Sequence, residues 1–268
     1  MARARTEPEP SKSPTVHPTA VVDPGAELAP GVTIEPYAVI GPGVIVGPGS
    51  MIGPHAYLAR DTVLGAECVV GKGAVLGADP QDLKYEGEET QLIVGDRTTI
   101  REFATLHRGT RASGVTRVGD DSLIMAYAHV AHDCVIGSHV ILSNAVQMGG
   151  HVYIEDWAVV GGLCALHQFL RIGTHAMVGG ASRVSKDIPP YTRAAGSPCR
   201  LYGLNSIGLE RRGFSTETRR ELKRAYRALF ASRENLSQAV ETLRRGPLLP
   251  EVERLVTFVE TSERGVTV

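Results

Sequence analysis

A six-residue period constrains this chain more than any other feature in it. Stepping by six from Val16 gives Val22, Leu28, Ile34, Ile40, Val46, Ile52, Leu58, Leu64, Val70 and Leu76, eleven aliphatic residues without a miss. The same frame resumes at Val94, Ile100 and Leu106, and runs again from Val118 through Ile124, Val130, Ile136, Leu142, Met148, Ile154, Val160, Leu166, Ile172 and Val178 to Val184. Only Asp82, Glu88 and Ala112 break it. Two residues before each aliphatic position sits mostly a small side chain, among them Cys68, Ala128, Cys134 and Cys164. A period of six fits neither an amphipathic helix nor a hairpin meander. It is the hexapeptide repeat of a parallel β-helix, in which three short strands and three tight corners make one 18-residue coil. The aliphatic residue points into the prism, and coils stack at the ordinary strand spacing of about 4.8 Å. The period leaves the hand open, and about 98% of crossovers between parallel strands are right-handed.

Composition narrows the partners. With 28 basic and 29 acidic residues the net charge is −1, so nothing global points to nucleic acid or an anionic membrane. Thirty glycines, sixteen prolines and five phenylalanines disfavour a helical bundle. The first residues carry arginines without an apolar run behind them, and no apolar stretch of about 18 residues occurs, so a soluble cytoplasmic protein is expected. The four cysteines show neither metal-ligand spacing nor a dense disulfide pattern, so reduced thiols are the expectation.

Three regions follow: a disordered tail over 1–14, a parallel β-helix over 15–190, and an α-helical domain over 191–268. Polar interruptions at 78–91 and 108–117 are expected to leave the prism as loops and return in register. Proline at 189 and 190 cannot continue a ladder. Beyond Asn205 the pattern is helical, with Ser215 as an N-cap, a second helix near Leu236–Arg245 and a third opened by Pro250. Such a segment would cap the solenoid.

Residues 18 apart should lie one above the other. His132 then stacks under Gly150 and Gln168, Asp133 under His151 and Phe169, and Ala131 under Gly149 and His167. Three histidines thus gather on one edge, none at a position the core needs. A neutral imidazole suits a general base near neutral pH, and Asp133 is the candidate to orient it. Gly149-Gly150 lets backbone amides approach a ligand closely, as an oxyanion donor must. His17, His55, His139 and His175 have no comparable company. Cysteines in packing slots are poor nucleophiles and no Gly-x-Ser-x-Gly elbow occurs, which favours direct base-assisted transfer. Arg211, Arg212, Arg219, Arg220, Lys223, Arg224 and Arg227 form a basic patch suited to an acidic partner or a diphosphate.

The strings QDLKYEGE (81–88), IREFATLHRGT (100–110), AHVAHDCVIG (128–137), GGHV (149–152), ALHQF (165–169), MVGG (177–180), DIPPY (187–191) and ERRGFS (210–215) resemble the UDP-N-acetylglucosamine O-acyltransferases that begin lipid A synthesis. The resemblance runs from about Val16 to the C-terminus. It implies a left-handed β-helix, a homotrimer and active sites in clefts between neighbouring prisms. It implies transfer of a 3-hydroxyacyl group from acyl carrier protein to the sugar 3-hydroxyl. His132 would be the general base, Asp133 its support and the Gly150 amide the oxyanion donor. Gln81, Asp82, Lys84, His129, His151 and Gln168 match sugar and phosphate contacts. His167, Asn205, Arg211 and Arg212 match residues that hold the nucleotide or place the acyl donor, and Gly180 matches the acyl pocket. No metal and no cofactor are implied beyond the phosphopantetheine thioester carried by the donor protein. The chain departs from the family pattern at Ile207, where many members have glutamate, and over 196–202. Two alternatives remain at this stage: the N-acyltransferase acting two steps later in the same pathway, and a trimeric β-helix carbonic anhydrase with histidines on zinc.

Overall fold

The computed structural model describes residues 13–232 and 235–268. The tail expected over 1–14 lies, up to residue 12, outside the described residues. Almost every aliphatic position of the repeat ends a short strand, mostly two residues long, and among the described residues the strands form three sheets of 11, 9 and 8, the first including two strands beyond the repeat. The first sheet begins at Thr15–Val16, the second at Val21–Val22 and the third at Glu27–Leu28, and the chain visits them in rotation. The paired register is the predicted one: Ile124 pairs with Leu142 and Leu142 with Val160, 18 residues per coil. Ile34, Ile52, Leu106, Ile124, Leu142 and Ile172 are fully buried in a core that fills the prism. The two interruptions lengthen the coil by whole hexads. Val94 pairs with Leu64, 30 residues earlier, and Val118 with Val94, 24 residues earlier.

The corners explain how six residues suffice for a strand and a turn. The residue three positions after most of the inward aliphatic ones has a φ near +60°, from Tyr37 at 59° through Asp133 at 58° to Phe169 at 64°. An L-residue in this left-handed region costs roughly 1 kcal/mol or more. Hydrogen bonding offsets that cost, because these amides donate to the coil below: His151 N–H to the His132 carbonyl at 3.1 Å, Phe169 N–H to the Gly150 carbonyl at 3.1 Å. The left-handed residues also stack in columns along the corners, as Tyr37 does on His55 and His151 on Phe169.

The helical domain expected from 191 opens instead on two strands. Thr192–Ala195 adds to the first sheet in parallel with Met177–Val178, and Arg200–Leu204 returns antiparallel to it. Prolines 189 and 190 break the coil, but the free edge of the first sheet still accepts a strand. Among the described residues four helices follow: α1 (Ser206–Arg211), α2 (Thr216–Phe230), α3 (Leu236–Arg244) and α4 (Pro250–Glu260). Ser215 caps α2 by accepting from Thr218 N–H, Asn235 and Gln238 close a capping box on α3, and Pro250 stands at the start of α4. Leu222, Leu229, Leu255, Val256 and Phe258 form their shared core. Buried Asp187 ties the C-terminal segment to the prism: its carboxylate accepts from Arg171 N–H and Ser262 Oγ, and its backbone pairs with Gly265 and Thr267. No described helix is long and apolar enough to cross a membrane.

Candidate active site

His132 follows the strand His129–Val130 of the second sheet and precedes Val135–Ile136 of the third, so it stands on the corner between those sheets. Its Nδ1 lies 2.7 Å from Asp133 Oδ2. Adjacent side chains in a strand would point apart; the left-handed backbone at Asp133 is what lets the two meet. The Asp133 side chain is completely buried. Thr110 donates to it twice, from N–H at 2.9 Å and Oγ1 at 2.7 Å, Ser113 Oγ donates to Oδ1, and Asp133 N–H donates to Thr116 Oγ1. Burial alone would raise this carboxyl, but hydrogen bonds from Ser113, His132 and Thr110 outweigh it and hold the pKa below the ordinary value. Asp133 is therefore a fixed anion whose partners choose the imidazole tautomer: Nδ1 carries the proton and Nε2 is left as the acceptor.

Gly150 closes over this imidazole. A Cβ on Gly150 would sit 2.5 Å from His132 Cε1 and 2.8 Å from Nε2, so the absent side chain is the space the ring occupies. The expectation for Gly150 is close approach of a ligand; the structure adds room for the His132 ring. The Gly150 N–H meets no acceptor among the described residues. His151 stands edge-on to His132, with ring centres 5.3 Å apart, places Nε2 3.6 Å from Asp133 Oδ2, and is backed by Phe169 at 4.4 Å. His132, Asp133 and His151 have donor atoms within 4.8 Å of one another, spacing a cation could use. Both carboxylate oxygens, however, already accept from Thr110, Ser113 and His132.

His167 and Gln168 lie exposed on the same corner two coils on from Ala131 and His132, with His167 Nδ1 3.0 Å from the Gln168 carbonyl. His129 points out from the second sheet, its Nδ1 2.7 Å from Thr105 Oγ1 and its ring 4.9 Å from His107. Burial, and then the neighbouring His132, lower the His129 pKa, while burial with His129 and His132 drives His107 to about 4. The loop 79–90 leaves the prism at this corner. Asp82 turns back onto Lys84 N–H, and Gln81 lines a cavity of about 650 Å³ with Tyr57, Arg60, Asp79, His107 and Arg108.

The remaining expected residues sit elsewhere on the same chain. Asn205 caps α1, accepting from Gly208 N–H and donating to the His175 carbonyl at 3.0 Å. Arg212 packs over Trp157 at the corner between the third and first sheets. Gly180 lies on the corner between the first and second, where a Cβ would meet the Gly162 carbonyl at 3.2 Å. His139 and His175, expected to lack company, flank Trp157 in one column: ring centres are 3.7 Å and 5.9 Å from it. Steps of 18 put 139, 157 and 175 in one column, but its middle rung is a tryptophan, so a search for stacked histidines passes over it.

Residues missed by column arithmetic are Thr105, His107, Thr110, Ser113 and Thr116. The first two were within reach. One extra hexad for the 108–117 interruption makes the local step 24, which puts Thr105 beneath His129, as its register shows. Thr110 and Ser113 reach Asp133 from a loop outside the period. The thiols stay out of the chemistry: burial pushes Cys134 up to about 12.

Fold and corner together define a hexapeptide-repeat transferase. The repeats at 43–78 and 116–147 match the bacterial transferase hexapeptide model, and residues 187–267 match domain 2 of UDP-N-acetylglucosamine O-acyltransferase. An acyl-(acyl-carrier-protein)--UDP-N-acetylglucosamine O-acyltransferase of Burkholderia mallei is 49% identical over 197 residues, 71% of this chain and 75% of the relative. LpxA, a UDP-N-acetylglucosamine acyltransferase from Bacteroides fragilis, superposes with TM-score 0.92 at 40% identity over 94% of this chain and 99% of its own. The Francisella novicida UDP-N-acetylglucosamine acyltransferase does so with TM-score 0.92 at 36% identity over 94% of each. The chain belongs to the acyl-(acyl-carrier-protein)--UDP-N-acetylglucosamine O-acyltransferase family. Its β-helix is the left-handed form, against the general rule for crossovers. The alternatives of an N-acyltransferase and a zinc carbonic anhydrase are set aside by this membership.

Proposed function

We propose that this chain transfers a 3-hydroxyacyl group from acyl carrier protein to the 3-hydroxyl of UDP-N-acetylglucosamine, with His132 as general base. The observation that carries the mechanism is the Asp133–His132–Gly150 arrangement: a buried anion on Nδ1 and an unengaged amide against the ring. His132 Nε2 takes the proton of the sugar hydroxyl as its oxygen attacks the thioester carbonyl. Charge moves to that carbonyl oxygen, and the Gly150 N–H receives it. Collapse of the tetrahedral intermediate breaks the C–S bond, and the imidazolium returns its proton to the departing sulfur. Asp133 steadies the imidazolium without taking its proton, as in the carboxylate–histidine logic of hydrolases. His129, held by Thr105, and His151 border the acceptor sugar, as do Gln81, Asp82, Lys84 and Gln168. His167, Asn205, Arg211 and Arg212 meet nucleotide or donor. The chemistry calls for no cofactor beyond the phosphopantetheine thioester.

The active form in this proposal is a homotrimer. Two observations support it. From the third coil on, the outward positions of the first sheet run Met51, Val69, Thr99, Leu123, Ile141, Val159 and Met177, an apolar ladder broken once at Thr99 on a sheet whose other face is already buried in the prism. And the expected site residues occupy three different corners of one prism, so packing prisms side by side brings complementary corners together. Arg211, Arg212, Lys223 and Arg227 form no ion pair among the described residues and offer the acidic carrier protein a surface. The free thiols suit a reducing cytoplasm. Acyl transfer from 3-hydroxyacyl carrier proteins to UDP-N-acetylglucosamine, measured beside His132→Ala, tests the whole: the variant should lose about 10²–10⁴ in rate. Full activity in that variant, or none in the wild type with any donor, refutes it.

A further inference from the structure

Trp157 is the only tryptophan in the chain, and it occupies a left-handed corner position with φ of 66°. His139 lies 3.7 Å from its ring centre with planes 14° apart. Arg212 Cζ lies 3.8 Å from the ring centre as well. Two groups that close to one ring centre cannot share a face, so the indole is sandwiched between imidazole and guanidinium. Arg212 comes from just beyond α1, 55 positions along the chain, so the stack fastens the helical segment to the prism corner. Its side chain makes no hydrogen bond or ion pair among the described residues. Beneath it, His175 is held neutral, its pKa lowered to about 4 by burial and then by Arg212 and Arg254. The arginine therefore sits on an aromatic platform with its charge uncompensated and its N–H edge uncommitted. A guanidinium on an aromatic face keeps its in-plane donors for bidentate contact, the geometry that phosphate recognition uses.

We propose that Trp157 is a positioning residue, holding Arg212 against its ring so that the guanidinium meets a phosphate of the ligand. The inference rests on the reading that Arg212 is a substrate contact, and it adds a residue that neither the repeat nor the family strings single out. The phosphate belongs either to the diphosphate of the nucleotide sugar or to the phosphopantetheine arm of the carrier protein.

The test has two arms. In steady-state transfer, Trp157→Leu should raise KM for one of the two substrates by roughly 3- to 30-fold, the loss of one cation–π contact, with a smaller change in kcat. Trp157→Phe, which keeps a ring face, should restore KM to within about threefold of wild type. The substrate whose KM moves names the phosphate. Unchanged KM for both substrates, or a loss confined to kcat, overturns the proposal. The second arm needs no turnover. With a single indole, emission reads this stack directly: titration with uridine diphosphate, and separately with phosphopantetheine, should alter Trp157 fluorescence for one of them in the wild type and for neither in Arg212→Ala. Identical titrations in the two proteins overturn it. If Trp157→Leu fails to fold, judged by thermal unfolding, the Phe variant and this second arm decide. A wild type without acyl transfer whose emission still responds to one probe through Arg212 would sink the catalytic reading while leaving the phosphate platform standing.

Discussion

Gly150→Ala adds one methyl group at the point where the imidazole of His132 lies. The new Cβ would stand 2.5 Å from Cε1, 2.8 Å from Nε2 and 3.1 Å from Nδ1. Ordinary carbon contact begins near 3.5 Å, so the ring has to retreat by about 1 Å. Its other side is fixed: Nδ1 is hydrogen-bonded to an aspartate that is itself buried and held by Thr110 and Ser113. The ring can give only by loosening that bond or by tilting Nε2 away from the acceptor hydroxyl. A misplacement of about 1 Å costs on the order of 100-fold in rate, roughly 2.7 kcal/mol in the barrier. Alanine keeps the backbone N–H, so a loss of this size belongs to the proposed base, His132, rather than to the proposed oxyanion donor. Stability changes less. Crowding costs about 1–3 kcal/mol, offset by about 0.4–1 kcal/mol from the stiffer unfolded chain, because the backbone at Gly150 is not left-handed. The assay is kcat at saturating donor and acceptor, with a thermal melt to show the variant folded. A folded Gly150→Ala protein with kcat within about threefold of wild type would refute the claim that the glycine makes room for the base.

Thr110→Val removes the hydroxyl donated to Asp133 and should cost about 1–3 kcal/mol in chemical denaturation, with a fall in kcat as the base loses its fixed anion; an unchanged midpoint and kcat would contradict the role given to the loop. His107 has a folded pKa near 4 against about 6.5 unfolded, so between those values the unfolded chain binds more protons and stability falls as the pH falls. That term amounts to about 2 kcal/mol lost by pH 5 relative to pH 7, and His107→Gln should flatten the slope by this amount; the same slope in both proteins would count against it. His175, also near 4, acts in the same window and direction. Leu142→Ala opens a cavity in the middle of the prism and should cost about 2–5 kcal/mol, readable as a shifted denaturation midpoint; a loss below about 1 kcal/mol would mean that the coil collapses onto the gap.

The legibility of the chain in sequence follows the repeat. A step of six names every inward residue, the three-sided coil and the columns that stand His132 under Gly150 and His151 over Asp133. All of these are consequences of local hydrophobic patterning and parallel pairing. Even the interruptions obey it, since they add whole hexads and so return each strand to its own sheet. Asp133 was harder to read, because period alone sets its neighbours but not where its carboxylate turns. That depends on the left-handed corner and on two hydroxyls from a loop outside the repeat.

The amino-acid order by itself therefore determined the solenoid, its register and the edge that carries the histidines, and its motif strings carried the family resemblance. Tertiary structure decided what has no period. The strand pair at 192–204 depends on a free sheet edge, and Trp157 meets Arg212 only because α1 folds back onto the prism. The distribution of Gly180, Arg212 and His132 over three corners is a property of the closed coil. These are contacts between side chains far apart in sequence, set by how separate segments pack, and a repeating pattern of six holds no term for them.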